Sequence, residues 1–417
     1  MAEPQTSADV ASHRHILMRY LATLAPTVLA LLVQIVTFAI TARGLGVAAF
    51  GPYTALLAVA AVAVELTGWG SADLLVRSVA RDPGRFAVSF GSMLIWIAAT
   101  LPLVMAGATG FCIVLFDTGL APLSIVLLIT GEVVIGRVAA SVELIMVAHR
   151  QPARAGLLRL ATAACRLVAA CLYFLAFGLQ TLPGWIVAAG IQSLLTAMIW
   201  LLLAAHLYGR PCWSVAADDW RTGGAFCLQQ AARAFQGNAD RMLLGLFADA
   251  TSLGLYGAAS RLMTVGLFPI QAATRLTYPQ FFRHGDRGLT ASRRYALSIA
   301  PVMLLIGASG AAVVGLAGWL APSILGAGFS DSTGLAAMLG LALPLIALQY
   351  PPADALTGAG RADLRAAIAL VSTGGFGLLL AGGVWLAGID GLILAFVTGH
   401  ALQAAALWTA AFLAGDA

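Results

Sequence analysis

Charged side chains set inside long apolar runs are the part of this sequence equipped to do chemistry. Seven arginines (Arg137, Arg159, Arg166, Arg233, Arg241, Arg261, Arg275) and five acids (Glu65, Glu132, Glu143, Asp240, Asp354) fall within segments otherwise built of Leu, Ala, Val, Ile and Gly. A guanidinium offers five donors in a rigid fork and grips phosphate or carboxylate bidentately. A carboxylate removed from water exchanges protons or takes a cation. The chemistry on offer is anion binding, with Glu65, Glu132, Asp240 and Asp354 as candidates for coupling to protons or sodium. The densest group is Gln229, Arg233, Gln236 and Asp240. Their spacing i, i+4, i+7, i+11 places them on one helical face over about 16 Å, with Asn238 and Arg241 flanking. Arg261 lies about as far beyond the next turn as Asp240 and Arg241 lie before it, so the three are expected to meet. The carboxylate would then hold guanidinium groups for an anion; the plainer reading is an Asp240–Arg261 structural lock. Glu143 and Arg159 flank a turn near residue 151 and are expected to pair structurally. Arg137 and Arg166 share a depth, with Glu132 serving one of them and the three lining a cavity.

Other chemistries lack their residues. The five cysteines form no CxxC and have no histidine cluster beside them, so neither a disulfide framework nor a metal site is expected, and the thiols read as free core residues. No HExxH, P-loop, GxSxG or strand-borne GxGxxG is present. Asp117, Asp249, Asp331 and Asp390 stand alone in short loops, and the Asp218-Asp219 pair reads as a solvated loop. No cofactor is expected.

The elements that position these charges are membrane helices. Of 417 residues 60% are hydrophobic and 10% charged, with a mean hydropathy of +0.92; a soluble domain carries about 25% charged residues. At about 20 residues per crossing, twelve spans consume the chain: 19–42, 49–74, 87–115, 121–147, 155–178, 183–207, 224–248, 252–281, 295–321, 333–358, 362–387 and 389–413. The polar first 17 residues carry no signal peptide pattern. Every basic residue is Arg. Fifteen of them fall in one set of loops (Arg14, Arg19, Arg77, Arg81, Arg85, Arg150, Arg154, Arg210, Arg221, Arg283, Arg287, Arg293, Arg294, Arg361, Arg365), and only Arg43 falls in the other. By the positive-inside rule both termini are cytoplasmic. The net charge of +5 is thus an orientation signal, and no nucleic acid partner is expected.

The sequence also echoes itself. Gly46-Val-Ala-Ala-Phe-Gly-Pro-Tyr53 leads into the second span, and Ala250-Thr-Ser-Leu-Gly-Leu-Tyr256 leads into the eighth, 203 residues later. His149-Arg150-Gln-Pro-Ala-Arg154 matches Gly360-Arg361-Ala-Asp-Leu-Arg365 at an offset of 211. The fold class expected is all-α: a polytopic membrane protein of two parallel six-helix repeats around a central cleft. The organisation reads as a cytoplasmic tail (1–18), an N-lobe (19–207), an inter-lobe loop (208–223) and a C-lobe (224–417). A milder polar stripe on the first span, Thr27, Gln34, Thr37 and Thr41, faces inward like that of the seventh. Pro102, Pro269, Pro344, Pro351 and Pro352 bend spans and suit hinging.

Arg43-Gly-Leu-Gly46, Phe50-Gly-Pro-Tyr53 and the stretch Gly70 to Arg77 resemble the first helical hairpin of Wzx-type polysaccharide-repeat flippases, in the multidrug/oligosaccharidyl-lipid/polysaccharide (MOP) exporter superfamily. Asp240-Arg241-Met-Leu-Leu-Gly245, Gly254-Leu-Tyr256-Gly-Ala-Ala-Ser-Arg261, Pro269 and Pro279 resemble that family's seventh and eighth helices. The resemblance runs along essentially the whole chain. It implies alternating access that moves a polyprenyl-pyrophosphate-linked oligosaccharide across the bacterial cytoplasmic membrane, for O-antigen, capsule or exopolysaccharide assembly. The implied partners are that lipid-linked substrate, membrane lipids and other polysaccharide-assembly proteins. In related peptidoglycan-precursor flippases, an Arg matching Arg261 lies in the central cavity and handles the lipid pyrophosphate. Those relatives carry an Arg-Asp pair on the first helix where this chain has Thr37 and Thr41, which argues against the peptidoglycan precursor. The substrate-binding residues expected are Gln229, Arg233, Gln236, Asp240, Arg241, Arg261 and Arg166. A drug/cation antiporter of the same superfamily would favour acids over the seven intramembrane arginines. An oligosaccharide polymerase or glycosyltransferase would need catalytic acids on large external loops.

Overall fold

The computed structural model describes residues 7–116, 118–214 and 220–415, with side chains described from residue 25 onward apart from Pro83. Asp117, the Asp218-Asp219 pair and the side chains of Arg14 and Arg19 lie outside the described residues. Every regular element among the described residues is helical: α1 (Ser7–Leu66), α2 (Ser71–Arg81), α3 (Phe86–Leu115), α4 (Pro122–Ala148), α5 (Pro152–Ala170), α6 (Leu182–Tyr208), α7 (Trp220–Gln236), α8 (Ala239–Phe247), α9 (Ala250–Gly285), α10 (Leu289–Leu325), α11 (Ser332–Gly340), α12 (Ala342–Gly358) and α13 (Ala362–Leu413).

Nine stretches of the described chain are long and apolar enough to cross a bilayer. Two of these hold two crossings each. Ala25–Leu66 has 42 residues, about 63 Å of helix against a hydrocarbon core of about 30 Å, and it breaks at Gly46, whose φ of 73° needs a residue without Cβ. The 52 residues of α13 break likewise at Ala387 and Gly388. The seventh crossing escapes a length criterion because it is split into α7 and α8. This accounts for the twelve crossings read from the sequence. Proline opens α4, α5 and α6, where its missing N–H costs nothing. Leu103, Val114, Leu123, Val371, Leu378 and Trp385 are more than three-quarters exposed, as side chains that face lipid must be.

The chain packs as two units: residues 1–44, 59–115 and 119–231 form the first, and residues 45–58, 116–118 and 232–417 the second. In the first, Leu75, Phe86, Phe90, Met93, Val138, Val142, Ile145 and Leu158 make a continuous apolar core under α2 to α6. The second span breaks here after Leu66. Gly68, Trp69 and Gly70 all adopt positive φ, and the Trp69 indole donates to the Trp220 carbonyl at 2.9 Å.

In the second unit the two echoing segments touch each other. A Cβ on Gly51 would meet the Ala250 carbonyl, and a Cβ on Gly254 would meet the Val47 carbonyl. Each residue stands 203 positions from its counterpart, so the contact is reciprocal, as in the self-complementary interface of two related copies. Gly257 and Thr54, also 203 apart, meet each other directly. The sequence echo is a packed element.

Candidate functional site

The second unit encloses a chamber of about 490 Å³ lined by α7, α8, α9, α12 and α13. Its first wall comes from the break in the seventh span. Gly237 and Asn238 are poor helix formers, and the helix stops at Gln236 and restarts at Ala239. The polar stripe therefore does not run along one straight helix: Arg233 and Gln236 stand before the break and Asp240 after it. Asn238 turns back, donating through Nδ2 to the Ala234 carbonyl at 2.7 Å. Arg241 ties the break together, with Nη2 donating to the Gly237 carbonyl at 2.6 Å and to Asn238 Oδ1 at 2.9 Å.

Asp240 sits in the first turn of α8, where a negative charge suits the helix dipole. Oδ1 accepts the Arg241 backbone N–H at 2.8 Å, and Oδ2 accepts the buried Tyr256 hydroxyl at 2.7 Å. The Arg241 Nε lies 3.6 Å from Oδ1 and is buried without a hydrogen-bond partner. Tyr256, rather than Arg261, is the α9 side chain on this carboxylate. Arg261 is exposed and is not among the residues lining the chamber, although its neighbour Ser260 is.

The opposite wall carries a second pair. Asp354, 2% exposed, follows Pro351 and Pro352 in α12, and Arg365 lies in the first turns of α13. Arg365 Nη1 donates to Asp354 Oδ1 at 3.1 Å and to the Thr357 hydroxyl at 2.8 Å. Asp354 Oδ2 is buried and has no partner. Between the walls, Gln236 donates to Gln403 Oε1 at 3.0 Å, and Gln349 donates to the His400 carbonyl at 2.9 Å. The His400 ring packs edge-on against Phe396 and tilted against Phe376.

Arg233 differs from every other arginine of the chamber. It is exposed to the chamber space and makes no hydrogen bond or ion pair with a described side chain. Three guanidinium groups thus line the chamber against one lining carboxylate, Asp240, which is already engaged, while Asp354 lies behind Arg365.

The remaining candidate residues lie in the first unit. Glu132 accepts from Arg166, which also reaches Ser193 Oγ at 2.9 Å. Glu143 pairs with Arg159, as the hairpin depths implied. Arg137, only 5% exposed, stands 3.8 Å from Glu65. Gln229 is exposed on α7 and does not line the chamber. Among the described residues no group of His, Cys, Asp or Glu is arranged to hold a metal, and all five cysteines are free. The sequence reading did not single out Arg365, Gln349, Tyr350, His400 and Gln403. In the sequence Arg365 reads only as an orientation charge, and the signal that points to it is its place eleven residues beyond Asp354. The others are single polar residues in apolar runs.

Chain architecture and known structures agree. The fold is shared with a multidrug resistance MATE family transporter of the MOP superfamily in its inward-facing conformation, at TM-score 0.73 and 14% identity, covering 92% of this chain and 94% of that one. An outward-facing structure of such a transporter matches at TM-score 0.60 and 16% identity over 94% and 95% of the two chains. A Vibrio cholerae MATE transporter, VcmN, matches at 0.59 and 18% over 98% of each. The protein is therefore a multi-pass membrane protein with the MOP transporter fold. No curated protein sequence matches it. Residues 19–284, more than half of the chain, match the family described as polysaccharide biosynthesis protein, and the chain belongs to that family.

Proposed function

We propose that this protein is a flippase that carries a polyprenyl-pyrophosphate-linked oligosaccharide across the bacterial cytoplasmic membrane, with both termini in the cytoplasm. The observation that carries the reading is the guanidinium of Arg233, unpaired among the described residues, in a chamber shared with Arg241 and Arg365. Such a surplus of donors suits a pyrophosphate, which brings acceptors and negative charge. The amides of Gln236, Gln349 and Gln403 offer both donors and acceptors, the mixture that sugar hydroxyls need. The membership in a polysaccharide biosynthesis family supports the same substrate class, and the Arg asymmetry between loops supports the orientation. Membrane lipids surround the apolar exterior, and other polysaccharide-assembly proteins are the expected partners.

The test uses purified protein in liposomes carrying a fluorescent polyprenyl-pyrophosphate oligosaccharide. Protein-dependent movement of the label between leaflets, lost in Arg233→Ala, is the expected result. No movement of that lipid alongside transport of a cationic dye would replace this reading with a drug transporter, since the structural relatives are named as multidrug resistance transporters.

A further inference from the structure

The pair Asp354–Arg365 is built differently from the pairs around it. Arg365 lines the chamber and is 30% exposed, whereas Asp354 lies behind it at 2%. Asp354 has a single charged partner, and its second oxygen has no partner at all. Asp240 by contrast is held by Tyr256 and by a backbone N–H, independently of any movement of Arg241. An arginine that turns from Asp354 toward an anion in the chamber leaves a buried carboxylate with no counter-charge. Such a carboxylate is costly to keep ionised, and the direct relief is to take a proton.

We propose that Arg365 is handed from Asp354 to the anionic headgroup when the chamber fills, and that Asp354 binds one proton in the exchange, making the proton a co-ligand of the transported anion. This rests on the reading of the chamber as a pyrophosphate site. The exchange balances in charge: one negative group of the ligand replaces the Asp354 carboxylate as the partner of Arg365, and one proton from solvent neutralises that carboxylate. No covalent bond to the ligand forms or breaks.

Among the described residues no other counter-ion pairs with Asp354. Within α12 the nearest ionisable neighbour along the chain is Tyr350. From α13 come Arg365 and His400, and the latter is engaged by Gln349. From α7 comes Arg233, on the chamber side. The chamber residues of α9 are uncharged, among them Ser260, Thr264 and Gln271. From α10, Ser292 bonds to the Ala355 carbonyl while Arg293 stacks on Phe412 and Arg294 is exposed. The segment α11 has no ionisable side chain.

Proton and anion then bind with positive linkage, the opposite sign from an antiporter in which a proton displaces the cargo. Where Asp354 is ionised in the empty protein, affinity for the anion falls about tenfold per unit rise in pH on this account alone.

The experiment is calorimetric titration of the full-length protein in detergent with geranyl pyrophosphate, and separately with inorganic pyrophosphate. Each titration is run at one pH in two buffers of different ionisation enthalpy, which yields the protons taken up per ligand. The wild-type protein is expected to take up about one proton more than Asp354→Asn, whose affinity no longer carries that tenfold-per-unit slope. Arg365→Gln, a second variant that leaves Asp354 already neutral, is expected to lose the same extra proton and to bind more weakly. Equal proton uptake in wild type and both variants, with binding intact, overturns the exchange and leaves the pyrophosphate site standing. Binding of neither probe to the wild-type protein overturns both. Uptake with geranyl pyrophosphate but not with the inorganic ion assigns the exchange to a lipid headgroup; uptake with both assigns it to the phosphate alone.

Discussion

Replacing Arg233 by alanine should separate binding from stability, because this side chain makes no hydrogen bond or ion pair with a described residue. It is exposed and pairs with no described side chain, and Ala is at least as good a helix former as Arg. The stability change expected is within about 0.5 kcal/mol. Its loss in binding is the loss of charge-assisted hydrogen bonds to the ligand, about 1.5–3 kcal/mol, which is roughly 10- to 150-fold in affinity. Arg241→Ala is the contrasting case. That guanidinium bonds Gly237 and Asn238 across the helix break and neighbours Asp240, with side chains 13% and 7% exposed. Removing one partner of so buried a pair costs about 3 kcal/mol or more. The assay is calorimetric affinity for geranyl pyrophosphate beside thermal unfolding of the same preparations. Unchanged affinity in Arg233→Ala would refute the reasoning, as would an Arg241→Ala protein of wild-type stability.

Other substitutions probe the frame. Asp249 caps α9 through Oδ2, which accepts the backbone N–H groups of Thr251 and Ser252 at 3.0 Å each. Asp249→Ala should cost about 1 kcal/mol, read as a lower unfolding temperature. Hydrogen bonding from the Ser252 side chain, then from the backbone there, holds this carboxyl below the ordinary carboxylate range. Its native value is thus below its unfolded one. The capping contribution is fully present above about pH 4 and is lost as pH falls through the native value; thermal scans between pH 3 and 6 should show that slope in wild type and not in Asp249→Ala. Glu143→Gln should cost less than about 1 kcal/mol in the same measurement, since Arg159 is 44% exposed and the pair is open to water.

Crossing number and repeat were legible in the sequence because each rests on a strong one-dimensional signal: apolar run length and offset. The pair Glu143–Arg159 was legible too, since a hairpin fixes the depth of residues on its two arms; Glu132, expected to serve either Arg137 or Arg166 in a cavity, holds Arg166, while Arg137 stands beside Glu65. The chamber was legible on one wall only. Arg233, Gln236 and Asp240 share a spacing that shows even though the helix breaks between them, but Asp354 and Arg365 lie on different helices, and Gln349, His400 and Gln403 converge through packing that no local pattern records. The expected meeting of Arg261 with Asp240 rested on depth alone. Depth does not fix the face of a helix: Tyr256, five residues earlier on α9, points its hydroxyl at the carboxylate instead.

The reciprocal contact between the echoing segments makes a sharper demand than mere similarity does. Gly51 and Gly254 are counterparts at offset 203, and each leaves room for the other segment's backbone, at Ala250 and Val47 respectively. A methyl group at either position must push the same two segments apart, at a cost typical of overpacking, about 1–3 kcal/mol. Since the geometry is symmetric, Gly51→Ala and Gly254→Ala should cost about the same. They should also be strongly non-additive. Once the first methyl has separated the segments, the second finds part of its room already made, so the double variant should be less destabilised than the two single costs combined, by about 0.5 kcal/mol or more. Thermal unfolding of the four proteins measures the cycle. Additive costs would mean that the two glycines sit in independent contacts and that the echo, although visible in the sequence, does not act as one packed element.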